Sequence, residues 1–241
     1  YTLAGFPRAD KGPGQRGMFL GEAEVNAFAN IDDLFFGNLT LAFARDSGVS
    51  TVEVEEAFIQ TTSMPWGFQA TAGQMLSDIG YLNSFHAHAD DFADRPLAYR
   101  AFLADQFKDP GVRLTWLAPT DTYIRLGTEV FRGDTFPASG ARDRGIGAKS
   151  AFVRIGGDLG PEISYQTGAS WLWTDARNRE TGSAPDVFGG STDVGIAHLV
   201  MKWAPDGNPV QRSLKWQTEL FRNRAHGDYQ GLGDFARTDY G

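Results

Sequence analysis

The chain has 241 residues, no cysteine, 29 glycines, 18 phenylalanines and a formal net charge of −8, a length that suits one large domain. A mean hydropathy of −0.32 excludes a bundle of membrane helices, and the longest apolar runs, such as AHLVM near Val200, fall far short of the roughly 20 residues a spanning helix requires. No basic stripe is present, which excludes nucleic acid as a partner, and the lack of cysteine agrees with an envelope protein that avoids disulfide chemistry.

Residues 1–18 read as an N-terminal polar segment or loop. The opening YTLAGFPRADKGPGQRG carries no signal peptide and looks like the middle of a protein. From Phe19 to Ile31 the odd positions are Phe, Gly, Ala, Val, Ala, Ala and Ile, while Glu22, Glu24, Asn26 and Asn30 occupy even ones. That period of two means a strand with one apolar face. Ten segments read this way, near 19–31, 34–44, 51–62, 66–75, 112–118, 122–132, 147–157, 163–174, 192–203 and 211–222. The clearest is ISYQTGASWLWT, where Ile163, Tyr165, Ala169, Trp171 and Trp173 oppose Ser164, Gln166, Ser170 and Thr174. Glu56 and Lys202 each interrupt the apolar face of their strand.

Most of these segments reach the 9–11 residues a tilted membrane-spanning strand needs, whereas soluble strands usually stop at about 5 or 6. Short turns at IDD, SMPW, APTD, DLGPE and APDGNPV alternate with longer connections at 45–50, 76–111, 133–146, 175–191 and 223 onward. The expected fold class is therefore all-β, a transmembrane up-and-down antiparallel β-barrel over residues 19–241 with a long loop at 76–111. Trp66, Trp116, Trp173, Trp203 and Trp216, with Phe35 and Tyr123, fall mostly near strand ends, where interfacial girdles place aromatics. The competing reading is a large soluble β-sandwich or adhesin stalk. The chain stops at RTDYG, at the start of another strand. An open ten-stranded sheet in lipid leaves unpaired edges, so about ten strands of a larger barrel of 12–16 are expected.

Other motifs carry little. GARDRGIGAKS lacks the Gly-Lys step of a phosphate loop, since Ala148 intervenes, and reads as an outer loop. NLT at Asn38 is a sequon inside a strand. His198 reads as a wall residue and His226 as a loop residue. No Ser/His/Asp set has a nucleophile context, so an enzyme is not expected.

Several stretches carry a resemblance: LGEAEVNAFANIDDLFFGNLTLAFA, VEVEEAFIQT, GYLNSFHAHADDFADRPLAYRAFLADQFKDPGVRLTWLAPTD, GTEVFRGDTFPASG and KWAPDGNPVQRSLKWQTELF. Together they resemble Gram-negative outer-membrane porin-like proteins, a family often labelled zinc-regulated TonB-dependent outer-membrane receptors, over nearly the whole chain. The resemblance implies a Gram-negative outer membrane as location and transport as the task. The chain departs from a true TonB-dependent receptor in having no recognisable plug domain.

With the more apolar parity toward lipid, the lumen receives Glu22, Glu24, Glu53 and Glu55 from the first three strands, then Arg113, Arg125 and Arg154 from strands five to seven, with Glu129, Lys215 and Glu219 beyond. Opposed arcs of acid and base across a pore create a transverse field that tunes selectivity. The expected function is a porin-like channel for passive diffusion of small hydrophilic solutes or ions. Its partners are outer-membrane lipid and those solutes, with a homo-oligomer also considered. The alternatives are a TonB-linked receptor or zinc-uptake component, and a barrel that docks or sheathes a partner protein.

The longest connection holds NSFHAHADDFAD and DRPLAYRAFLADQF. A connection this long is expected to fold or to function. Asp94 as cap, Pro96 in the first turn and apolar residues at helical spacing predict a helix near 95–106. Packed into the barrel mouth, this loop would place Asp90, Asp91, Asp94, Arg95 and Arg100 at a constriction. No cofactor is required, but His86 and His88, two apart on an extended segment, could join Asp90 to bind zinc.

Overall fold

A computed structural model describes residues 22–46, 49–92, 94–138, 145–180, 187–229 and 234–241. Its strands are β1 (Glu22–Asn30), β2 (Phe35–Asp46), β3 (Val49–Thr61), β4 (Phe68–Leu76), β5 (Lys108–Leu117), β6 (Tyr123–Phe131), β7 (Ala148–Asp158), β8 (Ile163–Glu180), β9 (Val187–Trp203), β10 (Leu214–Tyr229) and β11 (Asp234–Tyr240), with one helix, α1 (Leu97–Leu103). All the strands join one sheet in sequence order, and every neighbouring pair is antiparallel. This is an all-β meander and a single sheet, not a sandwich. Among the described residues β1 pairs only with β2 and β11 only with β10, so the sheet is open.

Among the described residues there are eleven strands, the ten read from periodicity and β11, the further strand expected at RTDYG. One sequence expectation needs correction. The segments 175–191 and 223 onward, read as long loops, are mostly strand, because β8 runs to Glu180, β9 begins at Val187 and β10 reaches Tyr229. Their apolar residues are sparse, so periodicity is nearly silent there. Ala176, Phe188 and Ala225, with Tyr229 and Phe235 against them, still build a small cluster that holds the extensions together.

Both faces of the sheet are apolar, for different reasons. On one face Val25, Phe43, Val54, Leu114, Leu126 and Leu220 remain exposed. On the other, Phe131, Leu172, Val194, Ile196, Val200 and Phe221 are buried by the connection between β4 and β5, whose Ile79, Leu82, Tyr99, Leu103 and Phe107 complete the main core. That connection meets residues from β1 through β10. In a flat sheet β1 and β10 would lie about 43 Å apart at ~4.8 Å per strand, so the sheet curls around the connection.

Two local irregularities shape the inner face on the β1–β4 side. In the β2–β3 ladder Thr40 opposes Glu56 and Leu41 opposes Val54, leaving Glu55 as a bulge. A bulge shifts the side-chain alternation by one. Glu55 and Glu56 therefore both reach the inner face, and Glu56 is no flaw in an apolar stripe. The β3–β4 ladder is only Ala57–Gln60 against Thr71–Gln74. It ends at the Ala57–Gln74 pair, beside Gly73, whose φ is 135° and where a Cβ would lie 2.2 Å from the Ala57 carbonyl oxygen. Beyond that point β4 leaves its neighbour and the chain turns inward after Leu76.

Candidate functional site: a loop held between two charged arcs

Residues 77–107 carry enough internal hydrogen bonding to be a folded unit, apart from Ala93, which lies outside the described residues. The Ser77 amide donates to the Phe107 carbonyl at 3.1 Å, closing the base. The buried Asn83 reinforces it, donating Nδ2 to the Ser77 and Phe107 carbonyls at 2.8 and 2.9 Å and accepting the Phe107 amide at 2.7 Å. Arg95 staples the middle, with Nε to Asp90 Oδ2 at 2.8 Å and Nη2 to the Phe85 carbonyl at 2.7 Å. These are local solutions to the rule that buried polar groups need partners.

Toward β5–β7 the loop meets the basic arc. Arg125 and Arg154 stand directly opposite one another across the β6–β7 ladder, an arrangement of like charges that costs stability unless an anion joins them. Asp78 is that anion. Its carboxylate lies 2.9 Å from Arg125 Nη2, 3.4 Å from Arg113 Nη1 and 3.5 Å from Arg154 Nη2. Arg154 also donates to the Asp78 and Gly80 carbonyls at 2.8 and 3.1 Å, and Arg113 donates to the Leu76 carbonyl. Beneath them, the buried Glu129 takes Arg113 Nε at 2.6 Å, the Asp78 amide at 3.0 Å and the hydroxyls of Ser77 and Ser150. Burial opposes ionisation of Asp78, but Arg113, Arg154 and Arg125 outweigh it and hold its carboxyl below the ordinary value.

On the far side, Glu219 of β10 accepts the Tyr81 amide at 2.8 Å, the Leu82 amide at 3.2 Å and the Tyr99 hydroxyl at 2.7 Å. Gly80, at φ of 63°, makes this approach possible, since a Cβ there would sit 2.5 Å from the Tyr99 hydroxyl and 2.8 Å from Glu219 Oε2. Burial, then the Glu219 charge, pushes the Tyr99 phenol well above its ordinary value.

Toward β1–β3 the same loop presents histidines to the acidic arc. His86 Nδ1 lies 2.7 Å from Glu55 Oε2 and its Nε2 3.1 Å from Glu56 Oε2. Glu55 first, then Glu56, outweigh burial and push the His86 imidazolium up to about 10, so both ring nitrogens donate at neutral pH. His88 Nδ1 lies 2.8 Å from Glu24 Oε1, and its ring stacks on that of His86 with centroids 5.6 Å apart. Lys108 crosses the parted β3–β4 edge to Glu53 at 2.6 Å and Glu55 at 3.4 Å. The Glu53 side chain is 63% exposed, against 10% for Arg154.

The structure rearranges several of the expected site residues. Arg113, Arg125 and Arg154 face inward together, but they grip the loop and do not line an open passage. Asp90 and Arg95 bond to each other, with side chains 6% and 3% exposed. That pairing also removes Asp90 from the zinc set, where Glu24 stands in its place: ligand atoms of Glu24, His86 and His88 all lie within 4.8 Å of one another. Asp91 bonds Lys215 of β10 at 2.5 Å, and Arg100 lies 3.9 Å from Asp105. Asp94 is exposed and does not cap α1, which is shorter than expected and begins after Pro96 with no side-chain cap. Glu22 is the first residue of β1. His198 is a buried inward wall residue of β9, and His226 sits in β10, not in a loop. Residues 139–144, within the stretch read as an outer loop, lie outside the described residues.

Sequence reasoning missed Asp78, Glu56 and the Glu219–Tyr99 pair. A signal for Asp78 did exist: three arginines of one parity on adjacent strands call for an anion, and Asp78 is the first acidic residue after the strand that precedes them.

An uncharacterized protein of Aquifex aeolicus (strain VF5) is 30% identical over 227 residues, covering 88% of this chain and 47% of that protein. The chain thus spans about half the length of the relative it matches. No protein-family model matches the chain, and no solved structure matches it.

Proposed function

We propose that the chain forms the wall of a Gram-negative outer-membrane β-barrel acting as a porin-like channel for small hydrophilic solutes or ions, with residues 77–107 as its internal constriction. The observation that carries this reading is the two-sided apolarity of one sheet. A soluble sheet buries one apolar face and wets the other, whereas here the inner face has the loop for a core and the outer face still exposes large apolar side chains. A lipid-facing band accounts for that.

The aromatics agree with such a band. Phe35, Trp66, Trp116, Tyr123, Trp203 and Trp216 all sit at the end of the sheet that carries the short turns. Trp173 lies ten residues beyond Ile163 along β8, about 33 Å of strand, or roughly 25 Å of height at a tilt near 40°, the height of an outer-membrane apolar band. Among the described residues no helix is long and apolar enough to cross a membrane, which says nothing of strands. The resemblance to outer-membrane porin-like proteins points the same way.

Because the basic arc is committed to Asp78, the wet side of the loop faces carboxylates: Glu24, Glu53, Glu55 and Glu56, offset by Lys108 and the two histidines. The expected activity is therefore passive, ohmic and cation-preferring conductance, not the balanced transverse field of two open arcs. Full-length protein in planar bilayers under a salt gradient tests this, with a reversal potential of cation-selective sign expected. A full-length barrel that stays electrically silent while binding a ligand tightly would instead mark it as a receptor.

A further inference from the structure

We infer that Glu24, His86 and His88 form a binding site for a divalent transition cation of the zinc type, which ties the inward loop to strand β1. The donor chemistry is two imidazoles and one carboxylate, the ligand class that suits Zn2+ and its late first-row neighbours and not the all-oxygen sites of Mg2+ or Ca2+. The three donors come from two elements far apart in sequence, brought together by the fold: Glu24 from β1 and the histidines from the short 3-10 turn Ala87–Ala89 and its preceding residue.

The geometry is close to what a cation needs. Ligands about 2.05 Å from zinc at tetrahedral angles stand about 3.4 Å apart. The Glu24 and His88 donors are already at 2.8 Å, and the whole set lies within 4.8 Å. Drawing the set to that spacing calls for adjustment of the side chains, for which His88, with 59% of its side chain exposed, has room.

The neighbours are arranged as a second layer. A metal-bound imidazole ordinarily gives its other N–H to a carboxylate, which fixes the ring and raises its basicity. His86 has a carboxylate at each nitrogen, Glu55 and Glu56. When the cation displaces the proton from one ring nitrogen of His86, releasing it to solvent, the glutamate at the other nitrogen remains as the orienting acceptor. The bulge at Glu55 is what puts both glutamates on this face. Glu24, Glu55 and Glu56 lie against the two imidazoles and supply a negative field that favours a divalent cation, while Lys108 offsets Glu53 and Glu55.

The inference stands apart from the channel reading, since it concerns binding and not passage. Zn2+ alone is titrated by calorimetry into detergent-solubilised full-length protein, and Co2+ by visible absorption, for the wild type and for His88→Ala, Glu24→Gln and the control Asp94→Asn. Expected are one ion per chain, an intense four-coordinate cobalt spectrum, an affinity loss of at least about tenfold in His88→Ala and in Glu24→Gln, and no change in Asp94→Asn. Both tested side chains lie at the wet margin of the fold, and an unchanged heat-modifiable gel shift confirms that each variant is folded. Equal zinc affinity in wild type and the two variants, or a weak six-coordinate cobalt spectrum like that of the hydrated ion, would overturn the site and leave only imidazolium–carboxylate pairs.

Discussion

Asp78 and His86 belong to one loop, yet they meet the sheet under opposite conditions. Asp78 enters an enclosure of three guanidiniums, 8% exposed, where the pairing charge is permanent because arginine does not titrate in proteins. His86 enters a pair of carboxylates at 20% exposure, where its own charge depends on pH and a cation can compete for its nitrogens. The difference teaches that one side of the loop is an anchor and the other a margin. Charge arcs that look symmetric in the strands become asymmetric once an insertion with its own charges is placed between them.

Removing the anchor is the largest test of that contrast. Asp78→Asn leaves three inward guanidiniums facing one another without an anion, and breaking a buried pair from one side typically costs about 3–5 kcal/mol. The expected outcome is a loss of that size in urea unfolding, with residues 77–107 becoming sensitive to protease in otherwise folded protein. A loss below about 1 kcal/mol would mean that the loop is held elsewhere. Acid should act on the same group. The folded-state carboxyl lies below its unfolded value, so its contribution is present above about pH 4 and disappears as pH falls through the lower, folded-state value. Stability measured from pH 6 downward should begin to fall as the ordinary carboxylate range is entered and go on falling toward the lower, folded-state value, and Asp78→Asn should lack this acid step.

Tyr99→Phe reads the far end of the anchor with a smaller effect. Glu219 keeps two amide donors and loses one hydroxyl, so about 1–3 kcal/mol is expected for a buried acceptor left with one partner fewer. With the raised phenol, stability is complete below about pH 10 and is lost as pH climbs toward the folded-state value. The phenylalanine variant should be insensitive over that alkaline range, and a wild type equally insensitive would count against a tight Tyr99–Glu219 pair.

How much of the fold and the site was legible in the sequence depends on the range of the interactions. The strands could be read because alternation and turn residues are local: ISYQTGASWLWT announces β8, and short turns such as SMPW and APTD mark one end of the sheet. The destination of the loop could not, because its partners lie far along the chain; the Tyr81 amide is satisfied by Glu219, 138 residues away. Arg113, Arg125 and Arg154 were legible as one arc, but an inward parity does not distinguish a pore wall from a socket. Glu56 looked like an error in the pattern because a bulge changes parity without any signature residue at Glu55. Asp94 followed closely by Pro96 looked like a helix start, yet the chain enters α1 from Pro96 and spends its nearby polar groups on the Arg95 staple.

The acidic margin should answer in selectivity before stability. Glu53→Gln with Glu55→Gln removes two carboxylates, one of them largely exposed, while leaving the Asp78 enclosure intact. In full-length protein the reversal potential should move toward zero, with Glu53→Gln alone nearly neutral in thermal unfolding and the added Glu55→Gln costing stability, since it takes a partner from His86 and Lys108. A protein whose selectivity ignores both glutamates, but changes on altering an arginine of β5–β7, would invert the assignment of anchor and margin.

The smallest effect belongs to His88, and its smallness is what makes it informative. The His88–Glu24 pair has one partner 59% exposed and the other 20% exposed, a setting in which ion pairs contribute at most about 1 kcal/mol because solvent screens them and the side chains lose freedom in pairing. Measured in chelator, so that no cation adds to the balance, His88→Ala should unfold within about 1 kcal/mol of the wild type. It should also keep residues 77–107 protected from protease, since Asp78, Asn83 and Glu219 still hold them. If His88→Ala instead released the loop as fully as Asp78→Asn does, the glutamate side would be an anchor of equal rank, and the contrast between the two arcs would fail at its weakest contact.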